Sequence, residues 1–375
     1  KMLDRKVPAI VVRILIFNYE KQVAWIKWGN TLSRPFSIKN GTKQGAIGSP
    51  IYWNLYLDDL LKELRKLGVG CYVANVFMGA TAYADDLLLL SPTRSGMVAM
   101  LEVCERFTKE HNISFSVNVV PAKSKTKVVY MCGDMSLRSY PAPLKLNGRE
   151  LPYVTTVAHL GHILAQDGTM VQDCRVKRAQ YIDRTVDMRT MFGLAHPQQI
   201  LTAINTYAGD HYGAMLYDLY DEKSAGQYFR CWGTLVKLTW GCPRSTHRYF
   251  VNNFLAQGFT SIRTKIISRY VKFFQTLLRS ASNEVRLIAQ LAAQDKSSTT
   301  GSNLAKIREE TKLNPWNVSS LQVKQVLLEG EPKVPEQDLR RLAYLSKLLE
   351  EKHSMELELC DTKKIDQLIN SLCSS

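Results

Sequence analysis

None of the eight cysteines forms a Cys-x-x-Cys pair; Cys71, Cys104, Cys132, Cys174, Cys231, Cys242, Cys360 and Cys373 are scattered along the chain. That excludes a redox dithiol motif and predicts a reduced intracellular chain with mostly buried thiols. Cys231, Cys242 and His247 match no common zinc-finger spacing, and a fourth ligand is not evident. No stretch reaches about 18 uninterrupted apolar residues, so no membrane span is expected. The apolar run from Val7 to Phe17 is broken by Arg13 and lacks a small-residue cleavage site, so no secretory signal is expected there. There is no Gly-x-x-x-x-Gly-Lys, so a P-loop ATPase is disfavoured. No internal repeat and no second enzymatic signature occur. Acids are short relative to bases, 34 Asp+Glu against 49 Lys+Arg, for a net charge of +15 over 375 residues. Such a balance suits a polyanionic partner, nucleic acid first. A length of 375 residues allows two or three domains, and the apolar content of 45% suits a globular protein.

Two adjacent carboxylates stand out, in Thr81-Ala82-Tyr83-Ala84-Asp85-Asp86-Leu87-Leu88-Leu89-Leu90. The apolar runs on either side, Cys71 to Met78 and Leu87 to Leu90, read as buried strands of a hairpin with Ala84-Asp85-Asp86 near its tip. Two acids at the end of an apolar sheet are costly unless a cation shares them, and paired carboxylates can hold hard divalent ions. Asp58-Asp59 serves as a control. Leu57, Leu60, Leu61 and Leu64 form a helical apolar stripe, and the two acids fall off it as helix-surface residues.

The segment Gln44-Gly45-Ala46-Ile47-Gly48-Ser49-Pro50 opens that helix. Its glycines permit close backbone approach to a ligand, and Ser49-Pro50 fits an N-cap followed by the first helical position. Elsewhere a helix is expected from Val7 to Tyr19. A hairpin is expected across Gly29-Asn30, and an amphipathic helix over 97–109 with Leu101, Cys104 and Phe107 inward. Strands are expected at Ile113–Val120 and Val128–Met131, around a basic loop carrying Lys123 and Lys125. Asn147-Gly148 marks a further hairpin. Helices rich in basic and aromatic residues follow from Val171, with Arg175, Lys177, Arg178, Arg184 and Arg189 in the first. The aromatics between Ile200 and Leu278 suit a helical core better than a stacking surface. The polar stretch from Ala293 to Asn303 reads as a flexible linker before a charged amphipathic helix.

Tyr83-Ala84-Asp85-Asp86 in a strand-turn-strand frame, preceded by Gln44-Gly45-x-x-x-Ser49-Pro50, resembles the reverse transcriptases of non-LTR (LINE-type) retrotransposons. The order of Gln44 to Pro50, Tyr83 to Asp86, Lys123 to Lys127 and Leu160-Gly161 is that family's. The resemblance implies an α+β polymerase palm, a small antiparallel sheet with packed helices, over 1–165. An all-α thumb and connection region over 166–292 and a linker with a helical C-terminal extension over 293–375 complete the expected organisation. It implies an RNA template, a DNA primer and dNTPs as partners, Mg²⁺ or Mn²⁺ as cofactor, and a nuclear setting for an active element. Asp85 and Asp86 take the catalytic and metal-binding positions. Gln44, Gly45, Ser49, Pro50 and Tyr83 lie beside template and nucleotide, Lys123 or Lys125 beside the nucleotide phosphates, and Leu160-Gly161 beside the primer end. The family's further aspartate, on a strand before the helix near Val7, has no counterpart; Asp4 stands in the wrong context. The expectation is a truncated copy or fragment, weak or inactive alone, with a non-catalytic nucleic-acid-binding remnant as the alternative.

Overall fold

The computed structural model describes residues 1–38, 41, 43, 45–118, 123–131, 141–193, 195–330, 336–357 and 362–374. The chain divides into two compact units, one over Lys1–Tyr130 and Ser136–Val154, the other over Met131–Met135 and Thr155–Ser375. Among the described residues no helix is long and apolar enough to cross a membrane.

The first unit mixes helices with short antiparallel hairpins. Helix α1 (Ala9–Glu20) follows Pro8, whose fixed φ and missing N–H suit a helix entrance. Strands β1 (Val23–Ala24), β2 (Lys27–Trp28), β3 (Thr31–Leu32) and β4 (Phe36–Ser37) fold back across Gly29-Asn30, with β2 on β3 and β1 on β4. Helix α2 (Ser49–Lys66) buries Leu57, Leu60 and Leu64 against α3 (Arg94–His111), which contributes Met100, Leu101, Val103, Cys104 and Phe107. Burial raises the Cys104 thiol to about 12, which keeps it protonated and unreactive. Strands β5 (Tyr72–Val73) and β6 (Val76–Phe77) pair with each other, so Cys71 to Met78 is a tight hairpin of its own rather than one strand. Ala74 adopts a left-handed φ of 51°, which lets the chain reverse there. Strands β7 (Ala80–Tyr83) and β8 (Asp86–Leu89) form the next hairpin, and β9 (Lys145–Leu146) and β10 (Arg149–Glu150) pair across Asn147-Gly148, both left-handed at φ 51° and 74°. The antiparallel pairing is thus a set of separate two-stranded hairpins among helices.

The expected strand at Ile113–Val120 is not formed over 113–118, and 119–122 lie outside the described residues. Among the described residues Val128 makes a single bridge, to Tyr153. Ser124 explains part of this. It is buried, its hydroxyl donates to the Thr126 carbonyl at 2.7 Å and accepts from the Asn118 amide at 3.3 Å, and this local bonding competes with a strand ladder.

The apolar residues of α1 are largely open to solvent. Ile10 and Phe17 are each 62% exposed, and no residue of α1 is fully buried. Contiguous exposed apolar surface of this kind promotes association. The double substitution Ile14→Lys/Phe17→Glu should reduce self-association in sedimentation velocity while changing unfolding free energy by less than about 0.5 kcal/mol.

Among its described residues the second unit holds one hairpin, β11 (Thr156–His159) with β12 (His162–Ala165), and is otherwise mainly helical. Its described helices are α4 (Val171–Met191), α5 (Pro197–Ala203), α6 (Gln227–Thr239), the single turn α7 (Arg248–Phe250), α8 (Ile262–Leu278), α9 (Asn283–Gln294), α10 (Thr299–Thr311), α11 (Ser320–Glu329), α12 (Glu336–Leu357) and α13 (Lys363–Ser374). One core joins them, including Tyr217, Tyr228, Trp232, Trp240, Phe250, Tyr270 and Phe274, so most of the aromatics do pack inward. Cys231 belongs to this core and donates to the Tyr228 carbonyl at 2.9 Å. The linker expected over 293–303 is a short turn. The Ser298 hydroxyl caps α10 by accepting from the Gly301 amide, and Asn303 is fully buried, bonding the Leu219 amide at 3.0 Å and the Tyr217 carbonyl at 2.9 Å. Its polarity satisfies backbone groups inside the core, which composition alone reads as a loop. Beyond it, Leu345, Leu348 and Leu349 of α12 pack into the same core.

Candidate active site

The β7–β8 register is set by a two-residue turn. Tyr83 pairs with Asp86 and Ala80 with Leu89, leaving Ala84 and Asp85 as the loop. Ala84 adopts φ 50°, a left-handed conformation that costs an alanine about 1–2 kcal/mol and must be held by its surroundings. The hairpin lies on α2, and the Trp53 indole of that helix donates to the Ala84 carbonyl at 2.7 Å. Leu87 and Leu89 lean on the core, whereas Tyr83, Ala84, Asp85 and Asp86 are exposed. The expectation that the two acids end a buried sheet is therefore corrected. The apolar side of the hairpin is half-buried, and its tip stands in solvent.

The two acidic pairs separate on their partners. Asp58 bonds Lys62 at 2.7 Å and also Arg5, and Asp59 bonds Lys1 at 3.0 Å. The hydrogen bond from Lys62 holds the Asp58 carboxyl below its ordinary range despite opposing desolvation. Among the described residues no cationic side chain pairs with Asp85 or Asp86. Adjacent unpaired carboxylates offer oxygen ligands only, the donor chemistry a hard divalent cation takes. Among the described residues no group of three or more His, Cys, Asp or Glu could hold a metal, and the side chains this tip offers are the two carboxylates.

In the loop before α2, Gln44 lies outside the described residues. Gly45 takes φ 81°, which favours glycine. Ser49 is not the N-cap: Gly48 occupies that position, Ser49 begins the helix, and its hydroxyl donates to the Lys43 carbonyl at 2.7 Å, closing the loop on itself. Pro50 falls in the first turn, where its missing N–H costs nothing. Lys123 and Lys125 flank buried Ser124, and both side chains are exposed. Asp4 lies 3.0 Å from the α-amino nitrogen of Lys1.

Leu160-Gly161 belongs to the second unit and forms the β11–β12 turn, with φ 48° and 76°. Its supports were not legible in the motif. Tyr212 donates from its hydroxyl to the Leu160 carbonyl at 3.3 Å and stacks on His162 with ring centroids 5.1 Å apart. Lys177 of α4 lies over the Tyr212 ring at 5.1 Å. Gly213 follows at φ 77°, where a Cβ would come within 1.7 Å of the His162 ring. Beneath the hairpin, Asp173 is fully buried and accepts from the Ile163 amide at 2.9 Å and the Tyr217 hydroxyl at 3.0 Å, with His162 Nδ1 at 3.4 Å. Asp173 lies in the first turn of α4, where an acid also complements the helix dipole; that is the one signal the sequence carries for it. His159 and His162 thus sit opposite each other in a hairpin, with His162 engaged by Asp173 and Tyr212.

A small cavity of about 40 Å³ opens beside this cluster, among Lys177, Arg184, His211, Tyr212 and Tyr228. Burial, aided by Lys265 and Arg269, pushes the His211 pKa down to about 4, and its Nδ1 lies 2.7 Å from the Tyr228 hydroxyl. Below pH 6.5 the unfolded chain takes up a proton that folded His211 refuses until about pH 4. This contribution is therefore fully present above pH 6.5 and is lost as pH falls toward 4, by about 3 kcal/mol at the limit. Urea unfolding of the parent should show that loss between pH 6.5 and 4, and His211→Gln should flatten it.

Residues 2–164 match the family model for reverse transcriptase (RNA-dependent DNA polymerase). The chain carries a reverse transcriptase domain over that range, and it is distantly similar to proteins of R1 and R2 retrotransposable elements. The retrovirus-related Pol polyprotein of the type-2 element R2DM of Drosophila melanogaster is 41% identical over 70 residues, 19% of this chain and 6% of that protein. The putative 115 kDa protein of the type-1 element R1DM, from the same organism, is 30% identical over 124 residues, 33% of this chain and 11% of that protein. The retrovirus-related Pol polyprotein of the type-1 element R2 of Nasonia vitripennis is 26% identical over 129 residues, 34% of this chain and 12% of that protein. The matched segments thus span only a small part of each relative.

Proposed function

We propose that the chain is a segment of an RNA-directed DNA polymerase that adds dNTPs to a primer 3′-hydroxyl. The observation that carries this reading is the exposed Asp85-Asp86 tip, which pairs with no cationic side chain among the described residues, within the reverse transcriptase match. In the reaction the primer oxygen bonds to the α-phosphorus, the bond to the bridging oxygen of the β-phosphate breaks, pyrophosphate leaves, and the hydroxyl proton passes to solvent. Asp85 and Asp86 would hold Mg²⁺ or Mn²⁺. When bound, such ions lower the pKa of the hydroxyl and stabilise the leaving group. Tyr83 and the Gln44–Pro50 loop would border template and nucleotide, and Lys123 or Lys125 would offset phosphate charge. Leu160-Gly161 would support the primer end. Arg175, Lys177, Arg178, Arg184 and Arg189 on α4 would hold the RNA–DNA duplex by its phosphates. With two carboxylates in the described site, catalysis by this chain alone is slow.

The test is binding and extension on poly(rA)/oligo(dT). The expected result is an affinity that falls steeply with salt, as phosphate contacts require, together with slow incorporation that needs both the RNA template and dTTP. Salt-sensitive hybrid binding with no incorporation would favour a non-catalytic binding remnant, the reading to which the net charge of +15 also lends itself.

A further inference from the structure

One contact fixes the acidic tip from outside the hairpin. The Trp53 Nε1 donates to the carbonyl of Ala84, the residue between Tyr83 and Asp85. That carbonyl and the Asp85 amide belong to the same planar peptide unit, so anchoring the oxygen fixes the plane from which Asp85 leaves the turn. Ala84 is left-handed at φ 50°, a conformation that an alanine does not hold unaided. The indole is itself held. It stacks on Tyr56 with centroids 5.8 Å apart and planes 27° apart. The Tyr56 hydroxyl donates to the His111 carbonyl at 2.8 Å, and its ring meets the edge of Phe107 at 6.1 Å. Phe107 is part of the buried core between α2 and α3. A continuous line of contacts thus runs from the core through Phe107, Tyr56 and Trp53 to the turn that carries the carboxylates.

We propose that Trp53 is a positioning residue for Asp85 and Asp86, setting the turn so that both carboxylates face one divalent cation. This rests on the reading that those two acids hold the cation; Trp53 itself touches neither cation nor substrate. Its action depends on a single N–H donor, which phenylalanine lacks while keeping a ring to pack on Tyr56.

The experiment is an Mn²⁺ titration of the full chain, followed by water-proton relaxation, for the parent, Trp53→Phe, Trp53→Ala and Asp85→Asn, with thermal melts of each. Asp85→Asn is expected to abolish the tip's Mn²⁺ binding. Trp53→Phe is expected to weaken it about fivefold, the scale of one net hydrogen bond, with the melting temperature unchanged. Trp53→Ala should weaken binding at least as much and also lower the melting temperature, because packing is lost with the donor. A pure packing role would move only the melts. Parent-like Mn²⁺ affinity in Trp53→Phe, alongside loss in Asp85→Asn, overturns the positioning role and leaves the metal reading standing. Parent-like affinity in Asp85→Asn overturns the metal reading, and the role of Trp53 falls with it.

Discussion

Replacing Asp85 by Asn should lower template-directed extension at least about 100-fold while leaving hybrid affinity within about twofold. The side chain keeps its shape, so the turn and its hydrogen bond from Trp53 persist. What changes is one negative charge at a tip that no cation among the described residues neutralises. If a bound divalent ion stabilises charge developing in the transition state, its loss removes several kcal/mol, and each 1.36 kcal/mol is about tenfold in rate. Hybrid binding through basic side chains and phosphates does not draw on that carboxylate. Asp58→Asn is the matched control. Asp58 already pairs with Lys62 and Arg5, so its neutralisation should leave extension unchanged within about twofold. Extension rates and fluorescence anisotropy on the same hybrid read both variants.

Asp173→Ala should destabilise the second unit by about 3–5 kcal/mol, measured by urea unfolding. The carboxylate is fully buried, and its removal strands the Tyr217 hydroxyl and the Ile163 amide, each with a desolvation cost once unpaired. Burial raises the Tyr217 pKa first, and the neighbouring Asp173 charge adds to it, so the phenol stays a donor throughout the neutral range. Tyr217→Phe removes one of these bonds and keeps the ring, so it should cost only about 1–2 kcal/mol. Amide exchange should show the loss first at Ile163, because the β12 end of the hairpin is tied to α4 through that carboxylate.

Much of this was legible because local chemistry encoded it. Asn147-Gly148 gave its hairpin through two left-handed residues, and Leu57, Leu60 and Leu64 gave α2 its buried face through helical spacing. The motif hairpin was legible as a turn, yet its burial was not. A run of four leucines reads as core, but only one side of β8 has α2 and α3 behind it. The two supports of the turns escaped altogether. Trp53 reaches Ala84 across 31 positions, and Asp173 meets Tyr217 across 44, so neither contact leaves a periodic trace. Ser49 was misplaced by one residue because a serine before a proline reads as a cap, whereas here its hydroxyl closes the preceding loop. Residues 293–303 read as linker because the stretch from Gln294 to Gly301 is polar, although Ser298 caps α10 and Asn303, buried with two backbone bonds, is part of the core.

The most direct measurement is affinity cleavage. Fe²⁺ replaces the divalent ion, ascorbate and peroxide generate hydroxyl radicals at the bound iron, and the cut positions are read by mass spectrometry. Backbone cuts are expected to cluster around residues 83–87, to be suppressed by excess Mg²⁺ and to be absent from Asp85→Asn. Cuts located elsewhere, or cuts at 83–87 that persist in Asp85→Asn, would contradict a divalent-cation site at the Asp85-Asp86 tip.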